Sequence, residues 1–304
     1  MNGVSLSSQM TDSNNGCWYC GRGFSCAEIL WITNLIEAKP ELTRHALSKV
    51  VCREFKWFRP DGGLKDMSCR VAMLKMHREG LITLPPPRYE YSKENIRPEI
   101  TSRSNPGVQI CVPAGSLGEL RYCIVRSSKD SALWNELIEL YHYLGYTPLA
   151  GAQLRYLVYS EEDALLAALG FGAAAWKVAP RDRFIEWSSE QRIKSLHMVV
   201  NNARFLILPW INSKNLASRI LSGVARSIQE HWKEKYSYEP VLLETFVETG
   251  RFQGTCYRAA NWIYVGQTQG RGKLDRRHTN SKPVKDIYLY PLDKQFRHLV
   301  CSNS

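Results

Sequence analysis

Three residues in the last quarter of the chain, Tyr257, Glu244 and Asp286, have the types that chemistry on a phosphodiester bond requires. Cleavage or strand transfer needs either carboxylates that hold a divalent metal such as Mg²⁺ or a nucleophile, typically Tyr or Ser beside arginine, that stores the bond covalently. Tyr257 precedes Arg258 and is the candidate nucleophile. Glu244 and Asp286 are the candidate metal-binding carboxylates, and Mg²⁺ is the one cofactor that this chemistry would take.

Each of these residues also has a structural interpretation. Tyr257 can be a packed aromatic whose hydroxyl is hydrogen-bonded. Glu244 lies in an apolar run, where an unpaired carboxylate is costly, and a salt bridge to Arg204 or Lys177 would satisfy it. Asp286 can cap a turn.

Basic residues are concentrated in a few segments. Residues 266–285 hold six Lys or Arg and a single acid between two predicted strands, and such a loop is suited to a polyanion as well as to plain solvent exposure. A second cluster lies earlier in the chain, in the phrase WKVAPRDRF that begins at Trp176. A third lies on a predicted helix near residue 65. The candidate nucleic-acid contacts are Lys65, Arg70, Lys177, Arg181, Arg183, Arg258, Arg271, Lys273, Arg276, Arg277, His278, Lys282 and Lys285.

Two further patterns concern polar and metal sites. Asn201 and Asn202 interrupt an apolar strand and predict a bulge or a polar site. Cys17 and Cys20 form a single CxxC whose only nearby partner is Cys26, so coincidence is favoured over zinc. The histidines lack metal-ligand spacing, and we predict no structural metal.

Composition limits the class of protein. The 304 residues are 44% hydrophobic, which suffices for real cores and allows two domains. A formal net charge of +11 favours an anionic partner, and nucleic acid is the leading candidate. The apolar runs are too short for a bilayer, the polar N-terminus is unlike a secretory signal, and nine scattered cysteines suit a reducing compartment, so we expect a cytoplasmic protein.

The N-terminal part predicts three short helices. Residues 1–16 are polar and predicted to be a disordered tail. Ser25 and Glu28 form a capping box for the first helix, a second follows Leu42, and a third carries Leu64, Met67, Val71 and Leu74 as its buried stripe, with Lys65, Asp66, Cys69, Arg70 and Met73 opposite. A short strand is predicted at 81–84. Residues 17–88 therefore predict a helix-turn-helix or winged-helix module, and 89–120 a linker or surface strap.

Residues 121–304 predict an α/β domain. The pattern gives a helix at 130–143, strands at 155–159 and 171–178, a strand pair within 196–210, and a long amphipathic helix defined by Leu216, Ile220, Val224, Ile228 and Trp232. A strand at 241–247, a short helix at Tyr257 and strands at 262–265 and 286–292 complete the domain.

Several phrases carry a family resemblance. ETFVETGRFQGTCYRAANWIYVGQTQGRG, KDIYLYPL, RFLILPW, APRDRF and LKDMSCR resemble the DruA family, named for the Druantia anti-phage defence system, over about residues 20–292. Relatives in that family resemble transposases of mobile elements. The resemblance implies a prokaryotic DNA-binding protein and other defence-system or mobile-element proteins as partners.

The order of elements after residue 121 also resembles the GNAT acyltransferase fold. In that fold the turn before the long helix carries Arg or Gln, then a glycine, then glycine or alanine, and cradles the coenzyme A pyrophosphate. Here Asn212 and Asn215 replace the first two and only Ala217 fits. Asparagine can take a positive φ and Lys214 can supply charge, yet the departure argues against acetyl-CoA.

The sequence thus predicts an α/β (α+β) protein with a winged-helix or helix-turn-helix-like N-terminal domain and a GNAT-like mixed sheet with flanking helices. The favoured function is DNA binding with cleavage or strand transfer, in a mobile element or in anti-phage defence. A GNAT-type acyltransferase and a non-enzymatic DNA-binding subunit are the alternatives. A homodimer would suit two-ended DNA chemistry, although no heptads require one.

Overall fold

The computed structural model describes residues 16–60, 62–87, 97–270 and 282–302. The chain divides into two compact units, Met1–Glu94 and Asn95–Ser304. The predicted disordered tail lies almost wholly outside the described residues, as do residues 88–96 of the predicted boundary region and residues 271–281 of the basic loop.

The N-terminal unit holds a hairpin followed by three helices. Ser25 caps the first helix and exchanges hydrogen bonds with Glu28, so the predicted capping box is confirmed. Thr43 caps the second helix. The elements are β1 Cys17–Tyr19, β2 Arg22–Phe24, α1 Cys26–Ala38, α2 Arg44–Glu54 and α3 Asp66–Arg78.

The predicted orientation of α3 is wrong. Cys69 and Met73 are buried, whereas Met67 is 61% and Val71 43% exposed. The buried stripe, Cys69, Met73 and Met76, is shifted by two residues from the predicted one, to the opposite face, because α3 packs against α2, where the small Cys69 side chain meets Cys52. Arg70 is half-buried and pairs with Asp66 at 3.5 Å, so a nucleic-acid role for this helix stays a prediction.

The strand predicted at 81–84 is also wrong. These residues form no strand, although Ile82 and Leu84 are buried in the core of this unit. The alternating apolar pattern of 81–84 reflects the burial of Ile82 and Leu84 in this core and not pairing with a neighbouring strand. The winged-helix interpretation therefore stays a prediction.

Residues 97–120, the described part of the predicted linker or strap, belong to the C-terminal unit and contact the rest of it. The backbone amide and hydroxyl of Thr101 both donate to the buried Glu136 carboxylate at 2.9 Å. Further along, Ile110 forms an isolated bridge with Ile211. This part of the segment is tied to the domain surface along its length.

The C-terminal unit is built on a seven-stranded mixed sheet of order β3-β4-β5-β6-β7-β9-β8. Only the pair β6 and β7 is parallel, and the other neighbouring strands are antiparallel. The predicted α/β class with a mixed sheet and flanking helices is confirmed. The strands are β3 Arg121–Ile124, β4 Leu154–Tyr159, β5 Leu165–Ala173, β6 Val199–Ile207, β7 Leu242–Glu248, β8 Ile263–Gln267 and β9 Lys285–Pro291.

Helices cover both faces of this sheet. The long helix α7 buries the predicted stripe through Ile220, Val224, Ile228 and Trp232, while α5, α6 and α9 pack with the opposite side of β6, β7 and β9. The helices are α4 Ser128–Tyr141, α5 Ala179–Ile185, α6 Ser189–Ser195, α7 Leu216–Tyr236, α8 Thr255–Ala259 and α9 Phe296–Cys301.

Two strand predictions shift in the structure. β5 begins at Leu165 rather than 171, because burial on both faces leaves a continuous apolar run without alternation. The predicted strand pair within 196–210 is one strand, β6. A register shift against β5 leaves Ala203 unpaired beside Asn202, which confirms the bulge predicted at the two asparagines.

The bulge coincides with the divergence of the two parallel strands. β6 and β7 pair only from Val199 with Leu242 to Asn202 with Thr245. Beyond these residues the two strands continue without further pairing to one another. The resulting cleft is where the candidate site lies.

Candidate functional site

A cavity of about 410 Å³ lies at the divergence of β6 and β7. Its walls come from β6, the end of β7, the turn and start of α8 after it, the end of α4, and β9. The lining residues include His142, Tyr143, Asn201, Asn202, Arg204, Phe205, Thr245, Phe252, Gly254, Tyr257 and Lys285. Volumes of about 300–1,000 Å³ are usual for sites that bind small molecules or parts of larger ligands.

A hydrogen-bonded chain of neutral groups crosses one wall of this cavity. The Tyr257 hydroxyl donates to Asn202 Oδ1 at 2.9 Å, and Thr245 Oγ1 lies 3.4 Å from the same hydroxyl and 3.1 Å from the Asn202 carbonyl oxygen. The side-chain nitrogen of Asn202, Nδ2, donates to the backbone carbonyl oxygen of Arg204 at 3.2 Å. These bonds fix Tyr257 and Asn202 across the gap between the strands.

The position of Tyr257 depends on Gly254. Gly254 precedes α8 with φ of 65°, and a Cβ there would lie 2.4 Å from the Tyr288 hydroxyl oxygen. Tyr288 in turn stacks on Tyr257, with ring centroids 5.9 Å apart. The glycine therefore lets α8 approach the sheet closely enough to insert the tyrosine.

The environment of Tyr257 bears on its predicted role as a nucleophile. Burial raises the pKa of its hydroxyl well above the usual value, and both hydrogen-bond partners, Asn202 and Thr245, are neutral groups that cannot act as bases. The geometry resembles a packed, hydrogen-bonded tyrosine. The nucleophile role stays a prediction.

The cavity carries positive charge. Arg204 and Lys285 line it, and the lining residues that the structure describes include no Asp or Glu. Burial, together with the positive charges of Arg204 and Lys285, lowers the pKa of His142 to about 4, so this ring is neutral at physiological pH. At its edge Arg251 lies over the ring of Tyr143, 4.9 Å from the centroid. An anionic group is the natural ligand for such a site.

Two buried polar atoms of lining residues have no hydrogen-bond partner in the described part of the chain. They are Asn201 Oδ1 and Arg204 Nε. The other guanidinium nitrogens of Arg204 are used, since they donate to the Ala203 carbonyl at 2.8 Å and the Thr147 hydroxyl at 2.7 Å. Unpaired buried polar groups are costly, so a ligand in this cavity would gain affinity by donating to Asn201 Oδ1 and accepting from Arg204 Nε.

Glu244 is held in a buried ion pair with Arg181. Its Oε2 accepts from Arg181 Nη1 at 2.9 Å, its Oε1 accepts from the Ala175 amide at 2.8 Å, and both ionic side chains are fully buried. The predicted partners Arg204 and Lys177 are wrong, because Arg181 on α5 occupies this position and pairs with Glu244. Burial raises the pKa of Glu244, and the positive Arg181 opposes that rise.

Asp286 does not join Glu244. In the β7–β9 ladder Glu244 lies opposite Leu289, whereas Asp286 lies opposite Val247. An odd offset places the two carboxylates on opposite faces of the sheet, about 10 Å apart along the strand. Asp286 instead accepts from Gln267 Nε2 at 3.0 Å. The idea that these two residues share a metal is therefore wrong.

The predicted basic contacts divide into three groups. Arg181 is wrong as a nucleic-acid contact, since its side chain is fully buried and occupied by Glu244 and Asp182. Those that remain accessible are Lys177, Arg183, Arg258 and Lys282, which are exposed, and Lys65, Arg70 and Lys285, which are half-buried. Five lie outside the described residues: Arg271, Lys273, Arg276, Arg277 and His278.

The stem of the basic loop is well defined. The Lys282 amide donates to the Gly270 carbonyl at 2.9 Å, and the Thr268 amide donates to the Lys285 carbonyl at 2.9 Å. Lys285, the first residue of β9, also lines the cavity.

A second cavity of about 420 Å³ lies at the N-terminus of α7, lined by Lys214, Asn215, Ser218 and Arg219 among others. Asn215 has φ of 66°, the conformation that sequence analysis allowed for it. Arg219 donates to the carbonyl oxygens of Ala114 and Gly118. Its charge is therefore already used within the chain.

Metal and membrane features give two findings. Among the described residues there is no cluster of three or more His, Cys, Asp or Glu side chains that could hold a metal ion. In the same part of the chain, we find no helix with the length and apolar character needed to span a bilayer.

Sequence reasoning missed several cavity residues. His142, Tyr143 and Phe252 come from the end of α4 and the turn after β7, which gave no chemical signal of their own. Gly254, which lies in a phrase that the family resemblance already singled out, was the available pointer to the turn.

Comparison with known proteins gives weak structural likenesses. Spermidine/spermine N-acetyltransferase SpeG from Vibrio cholerae in complex with manganese ions is 9% identical, with a TM-score of 0.36 over 59% of this chain and 96% of that one. Spermidine N-acetyltransferase from Vibrio cholerae in complex with CoA and spermine is 12% identical, with a TM-score of 0.35 over 57% and 95% of the two chains. No curated protein matches the sequence.

The family comparison is more extensive. The family described as Druantia protein DruA matches residues 75–296, which include every strand of the seven-stranded sheet and all the residues that line the cavity at β6 and β7. This confirms the family that the sequence phrases resembled. The chain belongs to the DruA family.

Proposed function

We propose that this chain binds nucleic acid, with the cavity at β6 and β7 and its basic surroundings as the contact surface. Membership of the DruA family supports a role in anti-phage defence. The observation that carries the proposal is the charge of the cavity, which has two lining cations and no described lining carboxylate. A net charge of +11 over the chain adds a long-range attraction for a polyanion.

The residues around the cavity suit a phosphate backbone. Lys285 lines it, and Arg251 and Arg258 are exposed nearby. In the sequence, four further Lys or Arg lie at 271–281, between the strands β8 and β9. Each phosphate neutralised by such a residue releases counterions, so affinity should fall steeply with salt.

The first test is fluorescence anisotropy with labelled single-stranded and duplex DNA at 50 and 200 mM salt. We expect strong salt dependence, and Lys285→Ala should weaken binding several-fold and reduce the slope of log K against log salt by about 1. Lys129→Ala is the matched control, since Lys129 is exposed at the far end of α4 from His142. Weak binding that salt does not change would refute the proposal.

The same reaction mixture with Mg²⁺ tests DNA processing. Because neither partner of the Tyr257 hydroxyl is a base, we expect binding without a protein-linked product. A covalent adduct that Tyr257→Phe abolishes would instead establish strand cleavage by Tyr257.

Acyl transfer is the second candidate, and the cavity at the N-terminus of α7 is the observation that favours it. A helix N-terminus there could receive a phosphate, although Arg219 is already bound to backbone carbonyls. A rise in Tm with acetyl-CoA that Lys214→Ala removes would support this candidate. An unchanged Tm at millimolar acetyl-CoA would eliminate it.

A further inference from the structure

We propose that the cavity at β6 and β7 receives a single unpaired nucleobase from a bound strand, an inference that rests on the proposed nucleic-acid binding. Three features of the cavity support this ligand: two unpartnered polar atoms, two aromatic pairs, and an exposed rim that carries positive charge.

The unpartnered atoms define the ligand's chemistry. Asn201 Oδ1 is an acceptor and Arg204 Nε a donor, and both are buried without a partner among the described residues. A ligand that satisfies both must carry a donor and an acceptor, as the edge of a nucleobase does. A purely apolar occupant, such as an acyl chain, would leave both atoms unpaired at a substantial cost.

The aromatic residues supply surfaces for a planar ring. Tyr143 and Phe252 form one edge-to-face pair with centroids 5.2 Å apart, and Phe205 and Tyr257 form another at 6.2 Å. All four line the cavity. Bases stack on such side chains largely independently of sequence, which suits a protein that takes up an unpaired base.

The rim gives a base a way in while its phosphates stay outside. Residues 251–253 are exposed, and the Phe252 side chain that lines the cavity is 45% exposed. Lys285 lies beside the opening and would meet a flanking phosphate, and Arg251, whose Nε is 3.9 Å from Glu248 Oε1, is exposed at the same edge. Uptake of a base from a duplex requires unstacking and unpairing, so an already unpaired base should be preferred.

The test compares three duplexes of one sequence, measured with the full chain by anisotropy. One is fully matched, one has a single unpaired adenine, and one has an abasic nucleotide at the same position. We expect the adenine bulge to bind about tenfold more tightly than the abasic bulge. Phe252→Ala should abolish this preference, so that the adenine bulge and the abasic bulge bind with equal affinity.

Phe58→Ala is the matched control, because Phe58 is an equally exposed aromatic, at 44%, in the other unit. Asn201→Leu should also abolish the preference, and its Tm separates a loss of recognition from a loss of folding. Competition with free dAMP tests whether a mononucleotide is the true ligand.

The outcomes separate the two proposals. Salt-sensitive binding with equal affinity for adenine and abasic bulges would overturn base uptake and leave nucleic-acid binding in place. Absence of salt-sensitive binding to all three duplexes would overturn both. If free dAMP binds as tightly as the bulged duplex, the site takes a nucleotide rather than a base within a strand, and this inference fails.

Discussion

The buried ion pair between Arg181 and Glu244 gives the sharpest test of the structure. In Arg181→Met the Glu244 carboxylate stays buried and keeps only the hydrogen bond from the Ala175 amide. Removing one partner of a buried pair typically costs about 3–5 kcal/mol. We therefore expect Arg181→Met to lower the free energy of unfolding by that amount at pH 7, or Tm by roughly 6–20 °C for a unit of this size.

The pH dependence provides an independent test. Burial raises the pKa of Glu244, and in Arg181→Met the positive charge that opposes this rise is gone, so the pKa rises further. A carboxyl whose folded pKa lies above its unfolded pKa contributes stability that is present at low pH and is lost as pH rises. The deficit of Arg181→Met should therefore be smaller at pH 4.5 than at pH 7.

Urea unfolding at pH 4.5 and 7 measures both quantities. Arg181→Met combined with Glu244→Gln should recover most of the loss and its pH dependence, because the amide oxygen still accepts from Ala175 without a charge. Arg126→Met is the control, since its pair with Glu234 is 64% and 54% exposed and should contribute at most about 1 kcal/mol. A loss under 1 kcal/mol in Arg181→Met, or an equal loss at both pH values, would refute the reasoning.

Three further predictions follow from the two cores and the cavity. Tyr257→Phe leaves Asn202 Oδ1 without its donor and should destabilise the chain by about 1–3 kcal/mol in urea unfolding, and an unchanged stability would contradict the hydrogen bond. In α3, Met73→Ala should cost about 2–5 kcal/mol and Met67→Ala under about 0.5 kcal/mol, whereas the reverse order would restore the helix face predicted from sequence. His142 should titrate by NMR with a midpoint near pH 4. In Lys285→Ala this midpoint should move upward, because one of the positive charges that hold the pKa of His142 down is removed. Folding favours the neutral ring, so this contribution to the stability of the fold is lost as pH falls from 6.5 towards 4. A midpoint near 6.5 would show that the ring is solvated.

The sequence by itself determined most elements and the family. The capping box at Ser25, the four-residue spacing of Ile220, Val224 and Ile228, and the β-branched run that became β7 are local signals, because propensity, capping and periodicity act over a few residues. The phrases around Gly254 identified the family without any structure.

The tertiary structure decided which charged residues pair with one another and which face of a helix is buried. The sequence offered Arg204 and Lys177 as partners for Glu244, and only the folded position of α5, which brings Arg181 within 2.9 Å of this carboxylate, selects Arg181. The face of α3 that is buried depends on its contact with α2, which no pattern within α3 contains. The cavity exists because β6 and β7 diverge after Asn202 and Thr245, and that divergence brings together residues more than 100 positions apart in the chain. Long-range packing of this kind leaves no local trace, which is why the sequence predicted the strands but not the site between them.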